Sequence, residues 1–447
     1  MADVALLGWI PVCVILFACL APAQALALSY LGGWLFLPML RIPIEGFWDL
    51  DKVITTNAGA MLGTVVFASK TLRHYRLTMA DWALLLFAGS ACLSSVANGL
   101  GLYDGISSST RELFYYAVPF CLGRAILKDR HQLLQASRMM VLGAAAYAVL
   151  ALWEWRMSPQ IHSTLYGVFQ HRFLQHHRWG FFRPIVCFPH ALSLGMFMGW
   201  ASLQAVWLYR AGRLGSVWSV PPFVLLALPL LGLLTSMSIA PWGLFCTGVV
   251  LLYLWHRTSS RSWLLLPVLF VLAWMIGRFS GYTDGKWLVS AAAKISADRA
   301  ESLGYRIDSE TIVLDNAKRS PVFGFGRGKH QTGQEEVGRL ASDGLWVILV
   351  GRYGLVGLTL FYIWWYWPLV LGRSAHRTLE TDPALMVQLV TVVLESVNFL
   401  FNGVTSPVVT LMCGGAVTCL LALQRHRHVF IAPSYAPSPL RLPGRLQ

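Results

Sequence analysis

Residues 278–343, RFSGYTDGKWLVSAAAKISADRAESLGYRIDSETIVLDNAKRSPVFGFGRGKHQTGQEEVGRLASD, form the one long polar run in a chain that otherwise keeps returning to apolar sequence. Apolar segments flank it on both sides, Ser262–Gly277 before and Leu345–Leu371 after. A polar connection of this length is uncommon unless it has a function or is disordered. This one mixes its charges, spaces Ile307, Leu314 and Ala317 as one helix face would, and ends in a Gly-rich turn. Those features predict an ordered segment.

Composition fixes the surroundings. Of 447 residues 56% are hydrophobic and only 13% charged, against roughly 25% charged in an ordinary soluble domain. The reading is an all-α polytopic membrane protein with about twelve or thirteen transmembrane helices, from Val4–Leu20 to Pro407–Leu423. The net charge of +14 does not point to nucleic acid, because its Lys and Arg sit in short connections between apolar runs. The eight cysteines lie almost all within apolar segments without a CxxC pair, so they read as small buried hydrophobes.

Basic residues set an orientation. Lys70, Arg73 and Arg76, then Arg124, Lys128 and Arg130, then Arg210 and Arg213, Arg257 and Arg261, Arg373 and Arg377, and Arg425 and Arg427 fall on one side if each segment crosses once. The positive-inside rule makes that side cytoplasmic. The expected organisation is an N-terminal transmembrane bundle (1–277), an extracytoplasmic catalytic loop (278–343), C-terminal transmembrane helices (344–424) and a cytoplasmic basic tail (425–447). Two segments on the opposite side, Glu154–Pro184 and Arg278–Ser342, are rich in Arg and His against the topological bias. Cations placed there suggest an anionic ligand on the outer face, and the long loop is expected to act as an active-site lid or floor.

Three constellations could carry chemistry. One is Arg172, His176, His177, Arg178 and Arg183, with His190 at the mouth of the next span. A guanidinium stays charged at any working pH and grips phosphate with two parallel bonds. The second is the loop: Arg299 and Arg306 share a helix face if Gly304 does not break it, Arg319 precedes Pro321, and Arg327 sits in the Gly-rich run. No strand precedes those glycines, which excludes a dinucleotide fingerprint and leaves backbone N–H groups approaching an anion. His330 and Asp343 are the candidate bases. The third group is scattered: Arg111 and Glu112 open a span on the outer side, where Arg111 would point into the same substrate vestibule, and Glu395 and Asn398 lie one turn apart inside another, with Asn402 at its end. Intramembrane carboxylates are functional candidates by default.

The chain resembles the bacterial O-antigen ligase and polysaccharide polymerase superfamily. Three stretches carry the resemblance: Arg178-Trp-Gly-Phe-Phe-Arg183-Pro184 running on to Pro189, His190 and Gly195; Ser320-Pro321-Val-Phe-Gly324-Phe-Gly326; and Ser342-Asp343-Gly344-Leu-Trp followed by Arg352-Tyr353-Gly354-Leu-Val-Gly357. The resemblance implies a helical fold related to C-type glycosyltransferases. It implies a multi-pass protein of the bacterial cytoplasmic membrane, its active site facing the periplasm or exterior, working in the cell envelope beside other polysaccharide-biosynthesis proteins. Its partners would be a polyprenyl-pyrophosphate-linked glycan, with undecaprenyl pyrophosphate as the carrier the resemblance implies, and a sugar or lipid-linked acceptor hydroxyl. Ligases usually carry a His-Asn pair where this chain has Ser342-Asp343-Gly344, so Asp343 or His330 would serve as the base. Arg183, Arg299, Arg306 and Arg327 would meet the pyrophosphate, and nothing visible requires a metal or cofactor. The competing reading is a transporter or flippase for an anionic lipid-linked solute, which would use the same cationic vestibule without chemistry.

Overall fold

The computed structural model describes the chain apart from residues 45–47, 171–175, 179, 295, 328–343, 374–381, 404 and 432–447, and apart from the side chains of 298, 299 and 426–431. The described chain is helical, save for a two-stranded ribbon that pairs His177–Arg178 with Phe181–Phe182. Among the described residues nine helices are long and apolar enough to cross a membrane. Four further apolar segments are shorter or interrupted: Pro22–Phe36, Lys52–Phe67, Pro222–Thr235, and a helix running from Leu102 to Ile126 through a π-helical turn at Leu113–Ala117. The polytopic all-α reading holds, and the shorter helices account for the difference from the expected number of spans.

Helices in an apolar solvent associate by close packing rather than by hiding from water. The lower half of the π-interrupted segment, Val118–Ile126, meets Pro407–Ile431 backbone to backbone. There Gly123 faces the Leu411 carbonyl and Gly414 faces the Phe120 carbonyl. Aromatic rings fill the neighbouring core. Phe361 meets Phe87, Tyr116, Trp364 and Phe399 at centroid separations of 5.4, 5.5, 5.4 and 5.8 Å, all edge to face, the geometry ring quadrupoles favour.

The polar run contains two helices, Lys286–Ala293 and Ala297–Ala317, and the second passes through Gly304 without a break. It buries Ile307, Leu314 and Ala317, the face anticipated from their spacing. Arg278 pins it to the end of the preceding span: Nε bonds Glu310 Oε1 at 2.6 Å, and one terminal nitrogen reaches the Ile307 carbonyl at 3.0 Å and Thr311 Oγ1 at 2.8 Å. The span after the run begins at Leu345, where the flanking apolar sequence begins, and continues to Trp365 with a kink at Gly354.

Candidate active site

The kink builds the site. Gly354 has φ 65° and ψ −167°, a region essentially restricted to glycine. Breaking a helix strands carbonyls and N–H groups that need partners, and the stretch 320–327 supplies them. Phe325 N–H donates to the Gly351 carbonyl and Gly326 N–H to that of Arg352, both at 2.9 Å. In return Leu355 N–H donates to the Pro321 carbonyl at 2.8 Å and Val356 N–H to that of Val322 at 3.3 Å. Asn98 Nδ2 and Ser320 Oγ both donate to the Gly324 carbonyl at 2.8 Å, and Ser94 Oγ to the Arg352 carbonyl at 2.7 Å. A Cβ on Gly354 would stand 2.2 Å from the Val322 carbonyl oxygen, so the fit admits hydrogen only.

This docking carries Arg327 to Arg352. Burial lowers the proton affinity of the Arg327 guanidinium, and the nearby charges of Arg111 and Arg352 lower it further, while Glu112 acts in the opposite sense. Each neighbour has its own support. Arg111 lies over the Tyr115 ring, 4.9 Å from its centroid. The Tyr115 hydroxyl donates to Asp51, which caps the helix Lys52–Phe67 through bonds of 3.0 Å from Val53 and Ile54 N–H. Glu112 is buried and accepts the Tyr353 hydroxyl at 2.7 Å. Arg327 thus lies within the electrostatic reach of Arg111, Arg352 and a carboxylate that already holds a hydroxyl. Like charges gathered in a partly buried site are costly unless an anion joins them.

Arg306 is held at the end of the helix Pro383–Phe401. Its Nη1 donates to the Phe401 carbonyl at 3.1 Å and to Asn402 Oδ1 at 3.2 Å.

The other anticipated residues are placed differently. Arg178 Nη1 donates to the Met237 carbonyl at 2.8 Å, and buried Arg183 donates to Ser238 Oγ at 2.7 Å, so both brace the turn between Pro222–Thr235 and Ile239–Thr258. His190 caps the helix Ala191–Arg210, its Nδ1 accepting from Leu192 N–H at 3.0 Å. Arg319 is exposed. His330, Asp343 and Arg172 lie outside the described residues, as does the Arg299 side chain. Arg352 was not among the sequence candidates, although it precedes Tyr353-Gly354 in a stretch that drew notice for its glycines. Its proximity to Arg327 depends on a helix break that no local pattern announces.

Residues 224–366 match the family model Wzy_C, described as O-Antigen ligase. The matched segment contains Arg306, Arg327 and Arg352, together with the docked stretch and the kink. No curated protein matches the chain. The chain has nine helices, among the described residues, long and apolar enough to cross a membrane, and over residues 224–366 it is similar to the O-antigen ligase family.

Proposed function

We propose that the protein transfers a glycan from a polyprenyl-pyrophosphate carrier to an acceptor hydroxyl on the outer face of the cytoplasmic membrane. The observation that carries this reading is the docking of 320–327 on the Gly354 kink, which brings Arg327 beside Arg352 and within electrostatic reach of Arg111 and Glu112. In the proposed reaction the acceptor oxygen bonds to the anomeric carbon as the bond from that carbon to the diphosphate oxygen breaks. The diphosphate leaves on its polyprenyl chain, and the acceptor's proton passes to His330 or Asp343. Fixed guanidiniums aimed at the leaving group would stabilise charge where it develops, and each such donor is typically worth about a hundred- to a thousandfold in rate. The base adds on the order of a hundred- to ten-thousandfold. Arg306, held at the end of the helix Pro383–Phe401, is assigned to the same leaving group. Arg178, Arg183 and His190 are assigned to the support of the neighbouring turn and helix.

The orientation rests on the distribution of Lys and Arg, which puts the C-terminal tail in the cytoplasm and 278–343 outside. Purified protein supplied with a polyprenyl-pyrophosphate oligosaccharide and candidate acceptors tests the proposal. Release of polyprenyl pyrophosphate coupled to glycan transfer is the expected result. Movement of intact lipid-linked sugar between leaflets, with no release, would overturn it in favour of transport.

A further inference from the structure

Glu395 lies in the helix Pro383–Phe401, which is buried along most of its length. Glu395, Asn398 and Asn402 follow one another at spacings of three and four residues, so they share a helix face. Glu395 and Asn398 are buried, and Asn402 is half-buried.

Their side chains form one line. Arg306 Nη1 donates to Asn402 Oδ1 at 3.2 Å, Asn402 Nδ2 to Asn398 Oδ1 at 2.6 Å, and Asn398 Nδ2 to Glu395 Oε2 at 3.4 Å. Trp200 Nε1, from the helix Ala191–Arg210, also donates to Glu395 Oε2, at 3.0 Å. Every donor in the line points the same way. A carboxamide offers an oxygen on one side and an NH2 on the other, so an acceptor at one end dictates which group is shown at the other. With Glu395 accepting, Asn402 turns its oxygen toward the guanidinium. A reversed amide would present N–H groups to a cation. The Asn402 carbonyl also accepts Leu345 N–H at 3.2 Å, which ties this residue to the start of the kinked span.

We infer that Glu395 is a positioning residue for Arg306, acting through Asn398 and Asn402. This rests on the role given to Arg306 above. The direction of the line needs an oxygen acceptor at 395, and a Gln oxygen there can receive both Trp200 and Asn398.

The test compares kcat and KM for the lipid-linked donor in Glu395→Leu, Glu395→Gln and Asn402→Leu, with thermal unfolding measured beside them. A mispositioned group costs up to about a hundredfold. Glu395→Leu and Asn402→Leu should each lower kcat by about tenfold or more while KM changes little, and Glu395→Gln should stay within about twofold of wild type. Asn402→Leu changes a half-buried position, so it reports on the line even if Glu395→Leu fails to fold. Wild-type kcat in Asn402→Leu, or a loss in Glu395→Gln as large as in folded Glu395→Leu, would overturn the inference. Arg306→Ala separates the two levels. If Arg306→Ala turns over normally, the role of Arg306 falls and the inference with it. If Arg306→Ala is inactive while both Leu variants are normal, only the inference falls.

Discussion

Gly354→Ala tests the construction of the site without touching a charged residue. The backbone at 354 is in a region that costs a non-glycine residue about 1–3 kcal/mol. The added Cβ would stand 2.2 and 2.3 Å from the oxygen and carbon of the Val322 carbonyl, which are main-chain atoms that cannot swing aside. Relief requires either that 320–327 move off the kink or that the helix straighten. Alanine itself favours straightening, by about 1 kcal/mol over glycine. Opposing this are the four main-chain hydrogen bonds between the two segments, worth about 1 kcal/mol each in net terms. The strain and the docking are therefore comparable, and the overlap tips the balance toward release. Arg327 would leave Arg111 and Arg352, with a loss in turnover on the order of a hundredfold, the usual worth of one placed donor. The assay is release of polyprenyl pyrophosphate, paired with limited trypsin digestion read at Arg319 and Arg327. Wild-type turnover with an unchanged cleavage pattern would refute the idea that this docking assembles the site.

Further expectations concern individual side chains. Arg327→Gln and Arg352→Gln should each reduce turnover by about a hundredfold or more while leaving thermal unfolding near wild type, as checked by steady-state kinetics beside a melting curve. Arg306→Ala should abolish turnover in protein that still elutes as a folded species on size exclusion. Glu310→Leu strands the buried Arg278 and should destabilise the protein by about 3 kcal/mol or more, measured by unfolding in detergent, and adding Arg278→Leu should restore part of the loss. Arg183→Leu should lower unfolding temperature, with kcat in the surviving folded fraction close to wild type, because its partner is the Ser238 turn.

The readable and the hidden parts of this molecule divide along the range of the interactions. Span-length apolar runs and the face Ile307–Leu314–Ala317 are local periodicities, and the helices follow them. The carboxylate and amides at 395, 398 and 402 stood out because polar groups are expensive in an apolar helix, and they are hydrogen-bonded to one another as that cost demands. The nearness of Arg352 to Arg327 was hidden, since it joins two distant parts of the chain through a broken helix. Conversely, Arg178, Arg183 and His190 drew attention by lying close together in sequence. Their side chains satisfy a turn carbonyl, a serine and a helix end. Type and spacing alone do not show which local contacts a guanidinium makes in the fold.

The π-helical turn at Leu113–Ala117 sits between Arg111–Glu112 above and Val118–Ile126 below. Each residue added to or removed from an α-helix turns one end against the other by about 100°, and such turns are commonly retained as single insertions near functional sites. The lower half is clamped to Pro407–Ile431 through Gly123 and Gly414, so any rotation must be taken by the upper half. Deleting one residue within 113–117 would swing Arg111 and Glu112 roughly a quarter turn away from Arg327 and Tyr353. A frame of one amino acid in an apolar helix thus governs where two polar side chains aim.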